Sequence, residues 1–69
     1  MKFENVSNKQ LSECIDTWIK GERNRQIMKR RLIDLITYER LAEEFDLSAR
    51  QVKYIVYHNE QIIFKQISK

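Results

Sequence analysis

The sequence predicts an all-α fold, a small helical bundle of about four helices with the last one long. Three observations lead there. The 69 residues include no proline and a single glycine, so few positions force a helix to break. Apolar residues recur at spacings of three and four, the pattern of one buried helical face. Ser7 with Gln10, and Ser48 with Gln51, stand at the head of such runs. At that spacing each side chain satisfies the other residue's free backbone amide, a capping box. A chain of this length makes one domain, 1–69, with a small core.

The elements follow in order. Residues 1–6 form a short lead. A first amphipathic helix is expected over 7–20, with Val6 and Leu11 as a hydrophobic staple across its start. Leu11, Cys14, Ile15, Trp18 and Ile19 form its apolar stripe, and Gly21 is the expected stop. Trp18, the largest apolar group, is expected to anchor this helix in the core, with a dimer contact as its alternative use. A trihelical core over 23–58 comes next. Its first helix, about 23–36, turns Ile27, Met28, Leu32, Leu35 and Ile36 inward. Arg23, Arg25, Lys29, Arg30 and Arg31 lie mostly outside that stripe. Thr37 caps a short second helix, with Ile36 and Leu41 as its staple and Leu41, Ala42 and Phe45 as its apolar positions. Arg40 stands where a complete box would have Glu or Gln. Ser48 opens the third helix, with Leu47 and Val52 as the staple and Val52, Ile55, Val56 and Asn59 on one face. Ile62, Ile63, Phe64 and Ile67 make 59–69 an apolar helical extension, so one helix is expected over 49–67. Ile63 and Ile67 stay near its core face, and Ile62 and Phe64 flank it.

Two helices parted by so short a break form a helix-turn-helix. Ala42 is the small residue that lets them cross closely, and Leu47 plugs the turn. Asp46 occupies the position where such turns usually carry glycine, and aspartate tolerates the left-handed backbone required there. The outer face of the second helix shows Arg50, Lys53, Tyr54 and Tyr57, with Gln51 and His58 at its margin. In this motif the N-terminal part of that helix enters the major groove of double-stranded DNA. Ala49, Arg50, Gln51, Lys53 and Tyr54 are therefore the base-reading candidates. Arginine pairs with guanine through two hydrogen bonds, and glutamine can do so with adenine. Thr37, Tyr38, Ser48, Tyr57, His58, Arg30 and Arg31 are the phosphate-contact candidates.

The run LITYERLAEEFDLSARQVKYIV, preceded by RQIMKRRLID, resembles the fourth region of bacterial sigma factors and its small stand-alone relatives. The resemblance covers roughly 23–60. Arg31, Thr37, Tyr38, Glu39, Ala42, Leu47, Ser48, Arg50 and Val52 match the family pattern, whereas the turn glycine is missing. Nothing in the chain resembles the sigma region that melts DNA and binds the polymerase clamp, so a complete sigma factor is not expected. The resemblance implies binding to duplex DNA as that family reads its promoter element, and it admits contact with RNA polymerase. It also implies an origin among phages or mobile elements, where small relatives are frequent.

Charge is segregated along the chain. The net charge is +3; residues 1–22 carry −1, 23–36 carry +4, 37–48 carry −3 and 49–69 carry +3. The acids Glu39, Glu43, Glu44 and Asp46 thus sit between two basic helices. The single cysteine, Cys14, falls on the apolar stripe and reads as a small hydrophobe in a reducing compartment. Lys2-Phe3-Glu4-Asn5 opens without an apolar run, and no stretch approaches membrane-spanning length, so a cytoplasmic protein with no membrane partner is expected. His58 is the only histidine, and no nucleophile–base pair, glycine-rich phosphate loop or metal-ligand set is present. The expectation is a binding protein, with no enzymatic activity, cofactor or metal.

The first reading is a sequence-specific DNA-binding regulator of transcription. A second is a protein-interaction module that engages RNA polymerase or another regulator. A third is the DNA-recognition part of a phage packaging or replication complex. Trp18, Ile62, Phe64 and Ile67 form a candidate partner surface. In a homodimer, two recognition helices would stand about 34 Å apart on a palindromic site.

Overall fold

Three of the four helices begin at a residue whose side chain holds a free backbone amide. The computed structural model describes residues 6–67 and contains α1 (Asn8–Trp18), α2 (Glu22–Leu32), α3 (Tyr38–Phe45) and α4 (Ala49–Ile67). The lead over 1–5 and the last two positions of the extension lie outside the described residues. Ser7 accepts from the Gln10 amide at 3.1 Å, and Gln10 Oε1 accepts from the Ser7 amide, completing the expected box on α1. Thr37 Oγ1 accepts from the Arg40 amide at the start of α3. Ser48 and Gln51 exchange the same pair of bonds at the start of α4, 3.0 and 2.9 Å long. No side chain caps α2. There Gly21 takes a φ of +89°, a left-handed backbone that suits glycine.

The expected boundaries need two corrections. Helix α1 ends at Trp18, with Ile19 already extended, so Gly21 opens α2 instead of closing α1. Trp18 is 47% exposed and does not anchor the core. Leu11 and Ile15 define the line that faces inward, and Trp18 lies about 60° round the helix from Ile15, at the edge of that line. Ile19, on the extended turn, takes the core position instead and is buried.

Helix α2 stops at Leu32, short of the expected end. The Ile33 and Asp34 amides both donate to the Lys29 carbonyl, and the Ile36 amide donates to the Arg30 carbonyl at 3.1 Å. Arg31 Nη1 then donates to the Ile36 carbonyl at 2.9 Å. This closure turns the chain toward α3. It leaves Leu35, expected on the inner stripe, 67% exposed at a φ of +58°.

The turn between α3 and α4 occupies residues 46–48 and forms as the sequence indicates. Asp46 adopts the left-handed conformation, φ 56° and ψ 48°. The Leu47 amide donates to the Ala42 carbonyl at 2.9 Å, a closure of Schellman type that points the Leu47 side chain toward the core. Ala42 is buried where the helices meet.

The core joins all four helices. Leu11, Ile15 and Ile19 meet Ile27 and Met28 of α2, Leu41 and Ala42 of α3, and Val52, Val56 and Ile63 of α4. Helix α4 packs against each of the other three, whereas α1 and α3 do not pack on one another. Asn59 lies on the core face as expected. It stays buried by donating Nδ2 to the Ile55 carbonyl at 2.8 Å. Among the described residues no helix is long and apolar enough to cross a membrane.

Candidate nucleic-acid interface

Burial of Val52, Val56, Asn59 and Ile63 fixes how α4 is rotated and therefore what it shows to solvent. Arg50, Lys53, Tyr54, Tyr57 and His58 are all exposed, with Tyr54 at 71% and Tyr57 at 64%. Tyr54 and His58, one helical turn apart, stack with ring centroids 6.1 Å apart and an interplanar angle of 11°. The surface therefore pairs cations with flat rings on a rigid helix. Both can engage base edges and sugar-phosphate.

Not every base-reading candidate is equally free. Ala49 is half-buried against the core, so only part of its methyl group faces outward. Gln51 has its carboxamide oxygen committed to the Ser48 amide. Reading adenine through two bonds needs that oxygen as an acceptor. In this conformation Gln51 can offer its NH₂ group and the second lone pair of that oxygen, so adenine must be met with the oxygen shared. The Ser48 hydroxyl, accepting from the Gln51 amide, retains its own proton to donate.

The phosphate candidates divide in two. Tyr38 sits at the first position of α3 with the Arg31 guanidinium 4.1 Å from its ring centroid and the Lys53 ammonium 5.7 Å away. The cation–π contacts gather Arg31, Tyr38 and Lys53 from three helices beside Thr37. Nothing in the linear spacing announces this cluster, because it depends on how α2 lies across α3 and α4. Arg30 departs from expectation. It donates Nε and Nη2 to the two oxygens of Glu44 at 2.9 and 2.6 Å, and Asp34 lies 3.6 Å from Nη1. This fork braces α2 against α3 and takes Arg30 out of the cations open to phosphate. The same hydrogen bond holds the Glu44 carboxyl below its ordinary range and the Arg30 guanidinium above its own.

The opposite flank of α4 carries an open groove of about 390 Å³ lined by Arg23, Leu47, Arg50, Gln51, Tyr54 and Ile55. Arg23, in the sequence one cation of α2 among several, is here brought beside the base-reading candidates. The fold divides the partner-surface candidates, packing two of them partly against the core and leaving Trp18 and Phe64 exposed. Ile62 and Ile67 pack against the core, Phe64 is 42% exposed, and Trp18 stands on α1. Burial raises the Cys14 thiol above its usual value, in keeping with a packing role.

Comparison of the chain with protein-family models, with curated proteins and with solved structures finds no match.

Proposed function

We propose that this protein binds double-stranded DNA with the N-terminal half of α4 in the major groove and acts in the cytoplasm as a small regulator of transcription. One observation carries the reading. The capped, core-locked start of α4 presents Arg50, Lys53 and Tyr54 outward from one rigid face, with Tyr38 and Arg31 gathered at its edge. Arg50 and Lys53 meet base edges, and Tyr54 supplies apolar and hydroxyl contact. Thr37, Tyr38, Arg31, Tyr57 and His58 hold the backbone. The similarity of 23–60 to the sigma fourth region supports the same placement.

Fluorescence anisotropy on random duplex DNA across a salt series tests it, with wild type and the Arg50→Ala/Lys53→Ala double variant. Binding should weaken steeply as salt rises, since each neutralised phosphate releases counterions. The double variant should lose about 1–3 kcal/mol for each base contact on a selected site. Wild type that fails to bind at low salt sinks the proposal. The exposed Trp18 and the acids Glu39 and Glu43 on α3 favour a second reading, docking on RNA polymerase or another regulator. Salt-independent capture of a purified polymerase, without DNA binding, would select it.

A further inference from the structure

A helix seated in the major groove has a phosphate backbone along each of its two edges. The groove is about 12 Å wide, and a helix with its side chains is about 10–12 Å across. One edge of α4 is furnished by Lys53, Tyr38, Arg31 and Thr37. Gln51 lies about 160° round the helix from Lys53, and that opposite edge borders the groove shared with Arg23.

Arg23 differs from its neighbours on α2. Arg25 is tied to the Ile19 carbonyl and Glu22, Lys29 to Asp16, and Arg30 to Glu44. Arg31 is held by the Ile36 carbonyl and the Tyr38 ring. Among the described residues, Arg23 is the one cation of α2 with none of these attachments, and it is exposed. Leu47 and Ile55 contribute apolar groups beside it, which offer no competing hydrogen bonds.

We infer that Arg23 binds a phosphate of the DNA strand opposite the one that meets Thr37 and Tyr38, so that α4 is clamped along both edges. The inference rests on the DNA-binding reading. A guanidinium fork fits two phosphate oxygens, and such a contact positions the helix without reading sequence. Arg23 therefore adds affinity and orientation, while Arg50, on the same groove, remains available for bases.

The test uses the full chain as wild type, Arg23→Ala, Arg23→Lys and Arg50→Ala/Lys53→Ala, first on random duplex DNA across a salt series. Arg23→Ala should bind several-fold more weakly, with the slope of log affinity against log salt reduced by about one. Arg23→Lys should recover most of both, and far-UV circular dichroism should be the same for all. On a site recovered by selection, Arg23→Ala should lose hydroxyl-radical protection on one strand and Thr37→Ala on the other. An unchanged slope for Arg23→Ala, with the double variant impaired, overturns the inference and leaves the DNA-binding reading standing. Loss of protection on the same strand for both variants overturns the two-edged arrangement. Wild type that does not bind overturns both.

Discussion

Leu35 and Asp46 hold the same left-handed backbone, φ 58° and 56°, but only one of them announces it. Asp46 stands in a turn between two apolar helical runs, where its side chain makes that conformation tolerable, so the residue type and the geometry agree. Leucine carries no such signal, and the spacing of Leu35 from Ile27, Met28 and Leu32 places it on the inner stripe by periodicity alone. The left-handed region costs a leucine about 1–2 kcal/mol, and glycine at the same site costs about 0.5–1 kcal/mol in chain entropy. Because the Leu35 side chain is mostly in solvent, Leu35→Gly should stabilise the fold by up to about 1 kcal/mol, and Asp46→Gly by less. Urea unfolding of the two variants checks the order. Glu44 gives a second expectation at this scale. The hydrogen bond from Arg30, aided by the charges of Arg30 and Arg40, holds its folded-state pKa below the ordinary value of 4.5. A depressed carboxyl contributes stability above its unfolded pKa and loses it as pH falls through the folded value. The urea midpoint should therefore drop more steeply below about pH 4.5 for wild type than for Glu44→Gln. Parallel pH profiles would show that the fork does not contribute.

Helix starts were more legible than helix ends. A start is encoded by a side chain at a fixed distance from the amide it holds, as at Ser7, Thr37 and Ser48. An end depends on where the chain must go next. Helix α2 stops at Leu32 because the Ile36 amide turns back to the Arg30 carbonyl and Arg31 secures that turn, none of which is periodic in the sequence. The long α4 was legible through to Ile67 because Val52, Val56, Ile63 and Ile67 keep one helical line. Its start is the cap that matters most, since it fixes the face proposed to read bases. Ser48→Ala should cost about 1 kcal/mol, and Thr37→Ala a comparable amount at α3. Gln51→Glu keeps an acceptor for the Ser48 amide and should leave thermal stability nearly unchanged, whereas Gln51→Ala should lower it. Equal melting temperatures for the Ala and Glu variants at position 51 would show that the box contributes nothing.

At the scale of the whole molecule, α2 and α4 each touch every other helix and together tie α1 to α3, which do not pack on one another. By its sequence the chain divides into an N-terminal helix, a trihelical core and an extension. In the structure these share one interior, because Leu11, Ile15 and Ile19 lie in the same cluster as Ile63 at the far end of α4. The extension was legible as too apolar for a free tail: Ile63 is buried, Ile62 and Ile67 pack against the core, and Phe64 stays exposed. For 69 residues, net stability should be roughly 3–10 kcal/mol. Ile15 is fully buried, so Ile15→Ala should cost about 2–5 kcal/mol through lost burial and a residual cavity. That is a large part of the total, and it falls on a helix that carries none of the proposed DNA contacts. If the interior is one cooperative unit, the variant will unfold α3 and α4 together with α1, and DNA affinity will fail at the same urea concentration as helicity. Trp18 on α1 reports its own helix by fluorescence, while circular dichroism reports all four. Coincident transitions are the expected outcome. A variant in which the Trp18 signal melts first while helicity and DNA binding persist would show that α1 is a dispensable attachment to an independently folded unit of α2, α3 and α4.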